Sequence, residues 1–240
     1  MKSIFYCPVY NQINELPNFL EQLRQHKYCD TVLLVNNGST DGSEELIKKS
    51  GFPHIEIPQN LGVGYSYILA LDWAIERNYK IFGTIASNGK MLSEEMGKIL
   101  EPVLKDKADY ITGSRFLKGG TSPNLPLFRR YGIPLVNIFV KLITGIQLTD
   151  ATCGYRAFNL DIIRKAKFNW HAKWLYTYSF EYYLYAKVLL NSKIRWKEVP
   201  ITMNYPSLGK NYSKIRPIID WWPMLKPWLI AKIDGKNIEW

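Results

Sequence analysis

At 240 residues the chain is long enough for one large domain with its own core or for two small ones. With 47% hydrophobic and 22% charged residues it has the make-up of an ordinary globular protein. Three widely spaced cysteines (Cys7, Cys29, Cys153) exclude a disulfide scaffold and a zinc pattern, and read as reduced thiols in an intracellular setting.

The N-terminal "MKSIFYCPVYNQ" has no signal-peptide core before Pro8 and Asn11, and "SIFYCPVY" (3–10) reads as a buried strand. In "NELPNFLEQLRQHK", Leu16, Phe19, Leu20 and Leu23 recur with helical spacing, which predicts a helix with one apolar face. "TVLLVNN" (31–37) is a second strand. "GSTDGSEELIKKSG" opens a helix that Asp41 caps, Glu44 supports and Gly51 ends. A short strand "HIEI" (54–57), a helix over 62–78, the strand "KIFGTIA" (80–86), a helix over 93–105 and the strand "DYITGS" (109–114) follow. This alternation predicts an α/β fold with a mostly parallel sheet flanked by helices. The polar tips "NQIN", "NNGSTDGS" and "ASNGK" all lie at strand carboxyl ends, where such sheets bind ligands.

After residue 120 the character changes. Residues 1–120 carry 13 basic and 14 acidic side chains, whereas residues 121–240 carry 18 and 7, so the whole net charge of +10 comes from the second half. That half is expected to face an anionic partner. "SPNLPLFRRYGIPLVNIFVKLITGI" reads as a basic, Pro-punctuated segment followed by an amphipathic helix. Its apolar stretch, 134–146, is too short to span a bilayer and is interrupted by Lys141. A helix over 180–190 and an extended segment over 194–205 come next. In the tail, Pro217, Pro223 and Pro227 are expected to leave only short pieces. Trp221, Trp222 and Trp228 alternate there with Lys214, Arg216, Lys226 and Lys232, the make-up of an interfacial anchor. Packing on the domain, a homo-oligomer contact and a membrane-protein partner are the other uses of such a surface. No nucleic-acid motif accompanies the positive charge.

"PVYNQINELPNFLEQL", "LLVNNGSTDGS", "NLGVGYS", "ITGSRFLKGG" and "DATCGYRAF", in that order, resemble the family 2 glycosyltransferases of the GT-A fold. The last two look most like the branch of dolichyl- and polyprenyl-phosphate sugar synthases. The resemblance covers roughly residues 4–215 and implies a GT-A catalytic domain over 1–205, with 206–240 as a basic, Trp/Pro-rich tail. It implies an inverting transfer of a sugar from a nucleotide-sugar donor to a polyprenyl phosphate, on the cytoplasmic side and in peripheral contact with an anionic membrane.

By the same resemblance, Pro8, Tyr10, Asn11, Asn37, Gly62, Asn88 and Gly89 line the nucleotide, while Arg115, Arg129, Asn137 and Lys214 hold the acceptor phosphate. Lys210, Asn211 and Lys214 fall where relatives carry a basic closing loop. The chain departs from the family at several points. Gln12 stands for a Glu, Asn36 and Asn37 for a pair of Asp, and Val63 for a basic residue. In "TIASNGKMLSE", Ala86 and Asn88 occupy the two acidic positions of D-x-D. Magnesium or manganese wants anionic oxygen ligands, which disfavours either as a cofactor and leaves Asn88 as the one weak metal candidate.

Three explanations stand side by side: Lys90, helped by Arg115 and Arg129, replaces the metal; the donor is unusual, or a metal is held by phosphates and Asn88; or the protein binds nucleotide without transferring. A phosphate acceptor needs no general base, its second pKa being about 6. A saccharide hydroxyl, the alternative acceptor in surface-polysaccharide assembly, needs one, and Asp150 is the candidate. His26, His54 and His171 have no ligand spacing and receive no role.

Overall fold

Side-chain alternation in the first strand sets the layers. In β1 (Ser3–Val9), Ile4 and Tyr6 join one buried cluster, while Phe5, Cys7 and Val9 join another on the opposite face. A strand covered on both faces belongs in the middle of a parallel sheet, and β1 sits there. The structure, a computed structural model, describes residues 1–25, 28–205, 221–235 and 238–240.

On one side of β1 lie β2 (Thr31–Asn37) and β3 (His54–Ile57), both parallel to it. On the other side lies β4 (Ile81–Thr84), also parallel. Beyond it the sheet continues with β5 (Tyr110–Ser114), β6 (Arg156–Asn159) and β7 (Trp196–Pro200) in the order β3-β2-β1-β4-β6-β5-β7. β6 runs antiparallel to both neighbours. The sequence pattern does not predict it: four residues, "RAFN", are too few for a strand period to show. The carboxyl ends of β1, β2, β4, β5 and β7 therefore share one edge, and the strand order reverses between β1 and β4, where open α/β sheets form their crevice.

One face is covered by α1 (Leu16–Gln25), α2 (Ser43–Lys49) and α4 (Met96–Leu104), the other by α3 (Val63–Glu76) and α7 (Ser179–Leu190). α1 buries Leu16, Phe19, Leu20 and Leu23, as its spacing predicts. Gly51 follows α2 with φ +78°, the left-handed geometry that ends a helix. Asp41 does not occupy the capping position of α2, which is Gly42. It accepts instead from the Ser43 and Ile13 amides (3.0 and 2.9 Å), tying the β1 loop to α2. α5 (Leu127–Thr144) begins within the Pro-punctuated segment and includes Pro134. The one-turn α6 (Asp161–Arg164) follows β6.

The tail differs most from expectation. Residues Trp221–Ile233 form one helix, α8, despite two prolines; Pro217 lies outside the described residues. Pro223 sits in the first turn, where the missing N–H is no loss. Pro227 lacks the N–H that would bond the Pro223 carbonyl, and the Ser179 hydroxyl of α7 donates to that carbonyl at 2.9 Å. Trp228 is fully buried against Tyr185 and Tyr182. The buried Lys187 ammonium donates to the Ala231 and Gly235 carbonyls (3.2 and 2.7 Å) at the end of α8. α8 thus packs on the domain through Pro227, Trp228 and Ala231, while Trp221 and Trp222 remain exposed. Among the described residues no helix is long and apolar enough to cross a membrane.

Candidate active site

Loops from β1 and β4 meet at the crevice. The Ser87 hydroxyl donates to the Pro8 carbonyl at 2.8 Å, and the Asn88 side-chain oxygen accepts the Lys90 amide at 3.2 Å, closing the turn at Gly89 (φ +68°). Asn11, itself at φ +50°, accepts the Thr40 amide on its side-chain oxygen and donates its own backbone amide to the Ser39 hydroxyl. Tyr10 is half-buried beside it.

Asn36 and Asn37 each have partners that suit an amide. Asn36 donates to the Glu56 carboxylate at 2.6 Å and accepts the Ser39 amide. An aspartate there would face Glu56 charge to charge, with no proton to donate. Asn37 bridges to Asn60 and to the Leu61 amide (3.1 and 3.2 Å), holding the "NLG" loop. The glycines of "NLGVGYS" answer to protein backbone. A Cβ on Gly62 (φ +99°) would lie 2.3 Å from the Tyr176 carbonyl oxygen, and one on Gly64 would lie 2.0 Å from that of Leu175. Close packing of α3 on the 175–177 turn, rather than a phosphate, accounts for glycine at both.

The cations expected from sequence converge on one aromatic ring. The Lys90 amine lies 5.4 Å from the ring centroid of Tyr205 and the Arg129 guanidinium 5.8 Å from it. Arg115 donates to the Tyr205 hydroxyl at 2.6 Å. Lys90 follows β4, Arg115 follows β5, Arg129 is in the first turn of α5, and Tyr205 follows β7. An antiparallel bridge from Met91 to Met203 and a bond from the Asn204 amide to the Lys90 carbonyl (2.8 Å) bring the Lys90 and Tyr205 segments together. Burial first, then the charges of Arg129 and Arg115, push the Lys90 ammonium down to about 8, against a smaller upward pull from Glu15. Among the described residues, Lys90 Nζ has no hydrogen-bond or ion-pair partner.

Asp150 and Asn137 are both taken up by protein partners. Asp150 is fully buried and forms a two-pronged pair with Arg115 (2.6 and 2.7 Å). Its two oxygens also accept the Arg115 amide and the amide and hydroxyl of Thr152. With five donors on it, the carboxylate is a positioning group for Arg115 and has no lone pair turned to an incoming hydroxyl. Arg115 is equally committed: beyond Asp150 and Tyr205 it reaches Thr152 and the Met203 sulfur. Burial alone would lower its pKa, but Asp150 raises it overall, so it is a fixed positive charge. Asn137 donates to the Thr149 carbonyl (2.8 Å) and accepts the Ala151 amide (2.9 Å), clamping the Asp150 loop instead of facing a phosphate. Lys210, Asn211, Lys214 and His26 lie outside the described residues.

The donor set at the D-x-D position does not fit a divalent ion. Ala86 brings no side-chain oxygen, and the single neutral oxygen of Asn88 already accepts the Lys90 amide. Among the described residues no three His, Cys, Asp or Glu gather in a metal-binding group. Sequence reasoning missed Tyr205, whose position in "ITMNY" carries no local signal. It also missed Glu198, which accepts the Thr149 and Asp150 amides from β7 (3.0 Å each). Both act through contacts between residues about 50 to 115 positions apart, which spacing cannot reveal.

A parallel-rich sheet with a crevice at its switch point and a cluster of cations over it defines a GT-A glycosyltransferase. Residues 5–167 match the description "Glycosyl transferase family 2", and the chain belongs to that family. It is 30% identical over 169 residues to an undecaprenyl-phosphate mannosyltransferase of Micrococcus luteus, covering 68% of this chain and 69% of the relative. To a polyprenol monophosphomannose synthase of Mycolicibacterium smegmatis it is 28% identical over 216 residues, 87% and 79% of the two chains. To a UDP-N-acetylglucosamine–dolichyl-phosphate N-acetylglucosaminyltransferase of Methanococcus voltae it is 27% identical over 215 residues, 82% and 84%. In fold it is similar to glucosyl-3-phosphoglycerate synthase from Mycobacterium tuberculosis, solved with Mn2+, UDP and glucosyl-3-phosphoglycerate. The TM-score is 0.67 at 13% identity, over 98% of this chain and 80% of that one.

Proposed function

We propose that the protein transfers a hexose-type sugar, with inversion, from a nucleoside-diphosphate donor to a polyprenyl phosphate, in peripheral contact with a membrane. In this reading cationic side chains stabilise the diphosphate that leaves. The observation that carries it is the convergence of Lys90, Arg115 and Arg129 on Tyr205, with Asp150 paired to Arg115. Such a cluster has an excess of positive charge and wants an anion. Two of the relatives act, by name, on undecaprenyl or dolichyl phosphate.

The acceptor phosphate, with a second pKa of about 6, is largely dianionic at neutral pH. One of its oxygens attacks the anomeric carbon while the bond from that carbon to the donor's diphosphate breaks, and the nucleoside diphosphate leaves with the bonding pair. No proton has to be removed, so positioning and charge stabilisation supply the rate. Arg115, anchored by Asp150, contributes a fixed charge; Lys90, whose ammonium has no ion-pair partner among the described residues, is the cation offered to the leaving group. A saccharide acceptor would need a base, and the five donors already on Asp150 favour the phosphate. Incubation with a panel of nucleotide sugars and short prenyl phosphates, with and without EDTA, tests the reading. Glycolipid formed in EDTA is the expected result. No glycolipid under any condition would end the enzyme reading, and activity lost in EDTA but restored by Mg2+ or Mn2+ would end the role given to Lys90.

A further inference from the structure

The long helix α5 has a face that the rest of the described chain leaves open. Leu127, Phe128, Tyr131, Leu135, Ile138 and Leu142 are each between 56% and 81% exposed. At about 100° per residue they fall on one side of the helix, opposite the buried Ile133 and Val140. Scattered exposed apolar residues are ordinary, but six large ones in a continuous stripe mark an interaction surface. α5 contains no acidic residue, and its exposed Arg130 and Lys141 flank the stripe. Arg129, on the first turn of the same helix, belongs to the cation cluster over Tyr205.

We propose that α5 is the element that enters an anionic bilayer, lying flat in the interface with the Leu127–Leu142 stripe among the acyl chains. Arg130 and Lys141 then meet lipid phosphates. This rests on the lipid-phosphate reading above and gives it a geometry. With α5 in the plane of the headgroups, Arg129 and the crevice sit at their level. An acceptor can present its phosphate to the cations while its prenyl chain stays in the membrane. Charge complementarity selects this occupant over a second copy of the chain. Pairing two α5 helices antiparallel about their midpoints would set Arg130 of each copy near Lys141 of the other, with no carboxylate on either helix to offset them. Of the C-terminal tryptophans that composition offered as an anchor, Trp228 is fully buried and only Trp221 and Trp222 are exposed, a smaller apolar surface than the α5 stripe.

Vesicle co-sedimentation tests the assignment. Wild-type protein is expected to bind vesicles of phosphatidylcholine mixed with phosphatidylglycerol more tightly than phosphatidylcholine alone. The double variant Leu135→Glu, Ile138→Glu should bind the mixed vesicles at least about tenfold more weakly. Its turnover of a short, water-soluble prenyl phosphate should be unchanged, which shows that it folds. A fluorophore on Ile138→Cys should shift to the blue when those vesicles are added. Vesicle binding by the double variant equal to wild type would overturn the proposal. So would light scattering that shows a wild-type dimer which the double variant dissociates. Turnover of the short acceptor without any vesicle binding sinks the α5 assignment alone. Vesicle binding through α5 without turnover of any prenyl phosphate upholds the assignment and sinks the acceptor reading.

Discussion

A lysine left 8% exposed between two arginines is held against its own charge. Because the folded pKa of Lys90 is pushed down to about 8 from 10.5, its ammonium costs stability in full below pH 8. That cost is relieved as pH rises toward 10.5, where the unfolded chain binds the extra proton. The penalty is roughly 2–3 kcal/mol. Lys90→Met should therefore raise the melting temperature at pH 7 by several degrees while lowering kcat/KM about 100-fold. Differential scanning fluorimetry and steady-state kinetics check the two halves. A variant that is both less stable and fully active would refute them. In the wild type, kcat/KM should fall as pH rises through about 8, where Lys90 loses its proton. In Lys90→Arg, which stays charged, that limb should vanish while activity is kept. Asp150→Asn breaks the buried pair with Arg115 and is expected to cost about 3–5 kcal/mol in urea unfolding, because it strands a guanidinium. The grouping of Lys90, Arg115 and Arg129 was expected from the family resemblance. Tyr205, which unites them, was not, because its contacts reach from β7 to Lys90, Arg115 and α5.

At the scale of elements, α8 shows how a tertiary contact overrides a helix breaker. The Pro223 carbonyl, left without its helical donor by Pro227, is satisfied by Ser179. Ser179→Ala should destabilise the protein by about 1 kcal/mol, since it leaves that half-buried carbonyl without its donor. In a Pro227→Ala background the restored N–H supplies the bond, and the same Ser179→Ala change should cost markedly less. Equal costs in the two backgrounds, measured by a double-mutant cycle, would contradict this account. A second element is set by close approach. Gly62→Ala must fit a Cβ 2.3 Å from the Tyr176 carbonyl oxygen at φ +99°, and should lower the urea midpoint by more than any alanine substitution on the exposed face of α3.

Over the whole molecule, the charge boundary near residue 120 is not a structural boundary. β6, from the basic half, lies between β4 and β5 of the near-neutral half, and β7 extends the sheet beyond β5. α8 then packs on α7 and α5. Urea unfolding should accordingly give one transition, with tryptophan fluorescence and far-UV circular dichroism coinciding. Seven of the eight tryptophans lie after residue 120, so two separable halves would show two midpoints.

Sequence alone determined the strand–helix alternation, the parallel core around β1 and the family. Each of these is written in local periodicity and in short polar tips at strand ends, which depend on neighbours a few residues away. Only the tertiary structure decided that Asp150 pairs with Arg115, that "NLGVGYS" packs its glycines on backbone, that α8 buries Trp228 against α7 and that α5 is open. Those outcomes depend on which side chains meet across the sheet. Burial and unmet hydrogen bonds decide that, and neither exists until the chain has folded.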